Sequence, residues 1–60
     1  MYILHWVFIN DHKWSKEFDT ENDALDFMHK CGFLLSYAID KVWLSMPNNE
    51  ELWLKEKSGA

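Results

Sequence analysis

The sequence predicts a small α+β domain of order β-β-α-β-β, an antiparallel sheet with one helix packed on one of its faces. Three observations predict it. Residues 2–9 (YILHWVFI) and 13–18 (KWSKEF) are strand-like runs around Asn10-Asp11, residues 21–31 carry a helical stripe with a cap signal at each end, and two apolar runs flank Pro47-Asn48-Asn49. A single helix can cover only one side of a four-stranded sheet, which makes this a layered arrangement with one face left over.

The first run has β-branched or aromatic side chains at both alternating positions, as a strand covered on both sides would, and is expected at the centre of the sheet. Asn10 and Asp11 tolerate positive φ and suit a tight hairpin turn, after which KWSKEF alternates polar and apolar residues. With a two-residue loop Ile9 opposes His12, Val7 opposes Trp14 and Ile3 opposes Phe18. A four-residue loop preserves the same faces.

Thr20 is a good N-cap for the following helix, with Asp23 in a capping-box-like position and Glu21 and Asp23 placing negative charge at the positive helix end. Ala24, Phe27, Met28 and Cys31 fall on one side at helical spacing, with Leu25 beside them, and Asn22, Asp26, His29 and Lys30 fall on the wetter side. Gly32 fits the stop. The next segment, FLLSYAI at residues 33–39, is apolar without a period and is compatible with a buried connector, a helical turn or the start of a strand.

In the last hairpin Pro47 opens a type I turn and Asn49 supplies the left-handed residue, a three-residue loop that sets Met46 against Glu50. Leu44 then pairs with Leu52, Val42 with Leu54, and Trp43 with Trp53 on the opposite side. Residues 1–57 read as one domain and residues 58–60 as a disordered tail.

Composition bounds the function. Of 60 residues 48% are hydrophobic and 27% charged, a globular balance, yet a chain this short draws only about 3 to 5 kcal/mol from a core and usually needs a further staple. Its single cysteine excludes an intramolecular disulfide, and self-association is the expected staple, giving a homodimer. A lone thiol, no apolar run long enough for a bilayer and a start without signal-peptide features lead to an expected cytoplasmic location. A net charge of −4, with six lysines and no arginine, argues against direct nucleic-acid binding. No cofactor is expected.

The faces sort next. The aliphatic set Ile3, Val7, Ile9, Val42, Leu44, Leu52 and Leu54, joined by Trp14 and Phe18, is the expected core. The reverse positions collect Tyr2, Leu4, Trp6, Phe8, Trp43 and Trp53, too apolar for a solvated face. Large exposed apolar patches mark interaction sites, and Trp and Tyr are favoured anchors there. Tyr2, Trp6, Phe8, Trp43 and Trp53 are therefore the expected partner-binding residues of a non-enzymatic protein-interaction module, regulatory or accessory, of a size that phages and bacteria often encode. If FLLSYAI instead folded back over this face, the result would be a three-layer monomer.

Other chemistry is thinner. His5, His12, His29 and Cys31 lack the spacing of a zinc site, and Cys31 on the helix stripe reads as a small core residue. Glu17, Asp19, Glu21, Asp23 and Asp26 surround the helix start, where capping and dipole effects account for acidic residues. They also define an alternative: an acidic inhibitor occupying the basic groove of a nucleic-acid-processing enzyme.

Overall fold

The computed structural model describes residues 1–55; the expected tail at 58–60 and the last two residues of the expected 1–57 domain lie outside the described residues. Strands β1 (Tyr2–Phe8) and β2 (Lys13–Phe18) precede helix α1 (Glu21–Cys31), a 3-10 turn at Phe33–Leu35, and strands β3 (Ile39–Ser45) and β4 (Glu51–Lys55). The four strands form one antiparallel sheet in the order β2-β1-β3-β4. This is the expected β-β-α-β-β domain, with β1 central.

Each end of α1 closes as its residues require. Thr20 Oγ1 accepts the Asp23 N–H at 3.1 Å, and Gly32, at φ 68°, donates its N–H to the His29 carbonyl at 3.1 Å. Ala24 and Met28 are fully buried against Leu4, Val42 and Leu44 of the sheet, with Phe27 and Leu25 packed beside them. The stripe continues through Phe33 on the 3-10 turn rather than through Cys31, which is exposed. The undecided segment is thus a single 3-10 turn followed by an irregular link into β3. Lys55 ties that link to β4, its Nζ donating to the carbonyls of Phe33 at 3.1 Å and Ser36 at 2.7 Å.

The β3–β4 hairpin has the expected loop. Met46 N–H donates to the Glu50 carbonyl at 2.8 Å, Asn49 sits at φ 67°, and Leu44 faces Leu52 while Trp43 faces Trp53. One detail differs: an irregularity between Val42 and Trp43 sets Val42 opposite Lys55 instead of Leu54.

The first hairpin corrects the expected register. Phe8 N–H donates to the His12 carbonyl at 2.8 Å and Asp11 N–H to the Phe8 carbonyl at 2.9 Å, so the loop is the three residues Ile9-Asn10-Asp11 with Asp11 at φ 69°. Trp6 therefore faces Trp14, and Tyr2 faces Phe18. A one-residue change in loop length exchanges the faces of one strand relative to its partner. Accordingly Tyr2, Leu4, Trp6 and Phe8 lie beneath the helix, while Ile3 and Val7 turn to the uncovered side. Trp6 stacks obliquely on Phe33, with ring centroids 4.9 Å apart, and on Phe27 at 5.8 Å. Trp14 shares the covered side but lies on the edge strand and stays 57% exposed, and Ile9 is exposed in the loop.

Candidate functional site

Among the described residues no helix covers the second face of the sheet, and cross-strand register arranges its side chains in three rows. Lys13, Val7 and Lys41 form the first row, Ser15, His5, Trp43 and Trp53 the second, and Glu17, Ile3, Ser45 and Glu51 the third. Same-face neighbours along a strand are two residues apart, which separates successive rows by roughly 7 Å. The face thus runs from a lysine end, across an aromatic band, to a glutamate end.

The band is built as a slab. Trp43 stacks on Trp53 at 4.8 Å between centroids with planes 26° apart, and His5 stacks on the other side of Trp43 at 4.9 Å and 13°. Lys13 Nζ sits 5.3 Å from the Trp43 ring centroid, a cation over an aromatic face. His5 Nε2 lies 3.0 Å from Ser45 Oγ, which locks the imidazole plane parallel to the indole. Side chains held this way have little rotamer freedom left to lose when something docks on them. Trp53 nevertheless remains 46% exposed.

Electrostatics across the face act on His5, whose pKa is held below the ordinary histidine range. Burial is the main cause, the Lys13 ammonium adds to it, and Glu51 opposes it. Its Nδ1 is buried and, among the described residues, has no hydrogen-bond partner. A neutral imidazole whose Nε2–H donates to Ser45 Oγ leaves only a bare lone pair at Nδ1, whereas an imidazolium would strand an N–H donor there, so geometry and charge favour the same neutral form.

Of the five residues expected to bind a partner, the structure brings Trp43 and Trp53 together on this face. Tyr2, Trp6 and Phe8 are a correction: they pack against the core on the covered side, because the three-residue loop reverses the expected parity of β1. Sequence reasoning missed Ile3, His5 and Val7, which replace them. His5, the most polar side chain of β1, was the available signal for the outward side of that strand.

The acidic group divides among separate roles. Glu17 stands on the open face opposite Ile3, Asp23 is engaged through its N–H at the Thr20 cap, and Asp26 pairs with Lys30 at 3.0 Å one helical turn on. Among the described residues no three His, Cys, Asp or Glu side chains gather as a metal site. No helix among them is long and apolar enough to cross a membrane.

A second apolar surface was not legible in the sequence. Ile9, Leu34, Leu35 and Tyr37 border an open groove of about 620 Å³ next to the lysine end of the sheet, with Ile39, Asp40 and Lys55 in its wall. Leu35 and Tyr37 are 90% and 98% exposed. Comparison with protein-family models, with curated proteins and with solved structures finds no match.

Proposed function

We propose that the protein is a non-enzymatic interaction module that binds another protein surface through the open face of its sheet, with Trp43 and Trp53 as anchors. The observation that carries this reading is the preorganised His5–Trp43–Trp53 slab, flanked by Ile3 and Val7 and left without cover by the one helix. Interface hot spots are enriched in Trp and sit at the centre of a patch with polar groups around it, which is how the two lysines and two glutamates surround the indoles. Full burial of one large apolar side chain contributes about 1.5 to 3 kcal/mol, and with Trp53 46% exposed and Trp43 already half-buried, covering both adds about 1 to 2 kcal/mol, a sizeable fraction of the stability of so small a domain. The reading assigns no chemistry to the face and places its action in an accessory or regulatory role within the cytoplasm.

Affinity capture from cells that contain the protein tests this, with Trp43→Lys and Asp23→Lys as the discriminating variants. Trp43→Lys is expected to lose captured protein while Asp23→Lys retains it. Retention by Trp43→Lys, with circular dichroism showing both variants folded, overturns the reading. Loss confined to Asp23→Lys would transfer the function to the acidic helix start and its inhibitor role.

A further inference from the structure

We propose that the occupant of the open face is a second copy of this chain, docked sheet to sheet about a two-fold axis that lies along the His5–Trp43–Trp53 row. The proposal rests on the reading of that face as a docking surface and adds the partner and its orientation. Its basis is the order of charge in the three rows: Lys13 and Lys41 at one end, Glu17 and Glu51 at the other, and the stacked aromatic band midway.

Two identical faces can meet only about an axis lying in the plane between them, because the same patch must serve both copies. An axis along the strands would set each lysine end on the partner's lysine end and each glutamate end on its glutamate end. An axis along the aromatic row reverses the strands of one copy relative to the other. Lys13 of each copy then stands over the partner's Glu17, and Lys41 stands over the partner's Ser45, diagonally from its Glu51. Trp43 and Trp53 meet their own images at the centre, and the Lys13 ammonium, 5.3 Å from the Trp43 ring centroid in the single chain, swings off that ring to reach the partner's glutamate. Like charges placed together across an interface are strongly disfavoured, so the charge order selects this axis over the other. The right-handed twist of each sheet adds the rotation of about 30° usual when two sheets pack face to face.

Ile3 and Val7 complete the fit. They flank the band on β1 and would be covered by the partner's β1 and its neighbours, which gives the apolar residues on the outward side of the central strand the shelter that one helix cannot extend to them. His5 meets the partner's His5, and the neutral form that burial and Lys13 impose avoids two imidazolium charges at the axis.

Sedimentation equilibrium in about 50 mM salt, where screening is weak, tests partner and orientation together. Wild type is expected to dimerise at tens of micromolar. The double variants Lys13→Glu/Lys41→Glu and Glu17→Lys/Glu51→Lys are each expected to weaken self-association at least about tenfold, while their equimolar mixture forms a heterodimer. That mixed dimer also shows that both variants fold. The fourfold variant, with all four charges exchanged, is expected to pair with itself and not with wild type. Preferential pairing of the fourfold variant with wild type would establish the strand-parallel axis and overturn the proposed orientation. A wild-type dimer indifferent to every reversal but lost in Trp43→Lys overturns the charge-selected orientation as well. A folded wild-type monomer at hundreds of micromolar overturns the second copy as occupant, and leaves docking through Trp43 to stand or fall on the capture experiment.

Discussion

The two faces of the sheet draw on the same kinds of apolar residue and end in different environments. On the covered side Leu4, Val42 and Leu44 are fully buried and Trp6, Phe27 and Phe33 interlock above them; on the open side Ile3, Val7, Trp43 and Trp53 stay partly or substantially exposed. Hydrophobicity does not separate the two sets, since each holds both aliphatic and aromatic members. Polar company does. The covered face admits one charged side chain opposite β1, Lys16, whose ammonium lies 5.9 Å and 5.6 Å from the Phe18 and Phe27 ring centroids and so joins the aromatic roof. The open face mixes its apolar residues with Lys13, Lys41, Glu17, Glu51, Ser15 and Ser45, a surface that can meet water in one state and a partner in another.

The largest test of this contrast uses two neighbours on β1. Leu4→Ala removes a fully buried side chain beneath the helix and is expected to cost about 2 to 5 kcal/mol, a loss of the same order as the whole stability of so small a domain. Ile3→Ala, one residue away on the open face, is expected to cost less than about 1.5 kcal/mol in dilute solution, with the cost rising as protein concentration rises. Thermal melts followed by circular dichroism at two concentrations measure both. Equal losses at low concentration would mean that the open face is no more accessible than the core.

How much of this contrast was legible depended on which residues set each register. Pro47 and Asn49 specify a three-residue loop through their own backbone preferences, and the β3–β4 pairing followed, apart from the shift near Val42. Thr20 and Gly32 likewise announced both ends of α1. The first loop gave no such signal for its length: Asn10 and Asp11 mark a turn, but no proline fixes where it opens, and Ile9, an apolar residue, belongs to it. Nor could β1 correct the error by its own pattern, since Ile3 and Val7 on one side and Leu4, Trp6 and Phe8 on the other are equally apolar. Matching polar positions across strands would have helped: His5 opposite Ser15 requires the observed register. Residues 33–38 resisted for a different reason, because a single 3-10 turn buries Phe33 and leaves Leu35 and Tyr37 in solvent, which generates no period.

A smaller effect is expected where the covered face is closed off. Gly32 adopts φ 68°, and among the described residues other than its chain neighbours no atom lies within 4 Å of where a Cβ would stand, so Gly32→Ala isolates backbone strain from steric clash. The left-handed conformation costs an L-residue roughly 1 to 2 kcal/mol, and the urea midpoint is expected to fall by that loss divided by the slope of the transition, with the slope itself unchanged. Because Gly32 turns the chain from α1 into Phe33, it bears on the covered face alone, and dimerisation measured well below the midpoint should stay as in wild type. Weakened association in folded Gly32→Ala would reveal coupling between the faces.

The smallest effect concerns His5 at the centre of the open face. Its folded pKa is lowered chiefly by burial and secondarily by Lys13 on β2, with Glu51 on β4 opposing them and Ser45 on β3 holding Nε2. In the unfolded chain an imidazole takes up its proton near pH 6.5. Between that value and the lower folded pKa, the unfolded state binds more protons, so stability falls as pH drops through this window and levels off below it. Above about pH 6.5 the neutral form prevails in both states and His5 adds no pH dependence. Replacing His5 with Gln keeps a polar side chain opposite Ser45 and removes the titration. Urea midpoints for wild type and His5→Gln are therefore expected to diverge in pH dependence only on the acid side of about pH 6.5, and identical profiles would show that the imidazole is as well solvated in the sheet as in the unfolded chain. In the proposed dimer the same protonation sets two positive rings face to face at the axis. Acid should then weaken wild-type association more than it weakens the fold, and His5→Gln should abolish that excess.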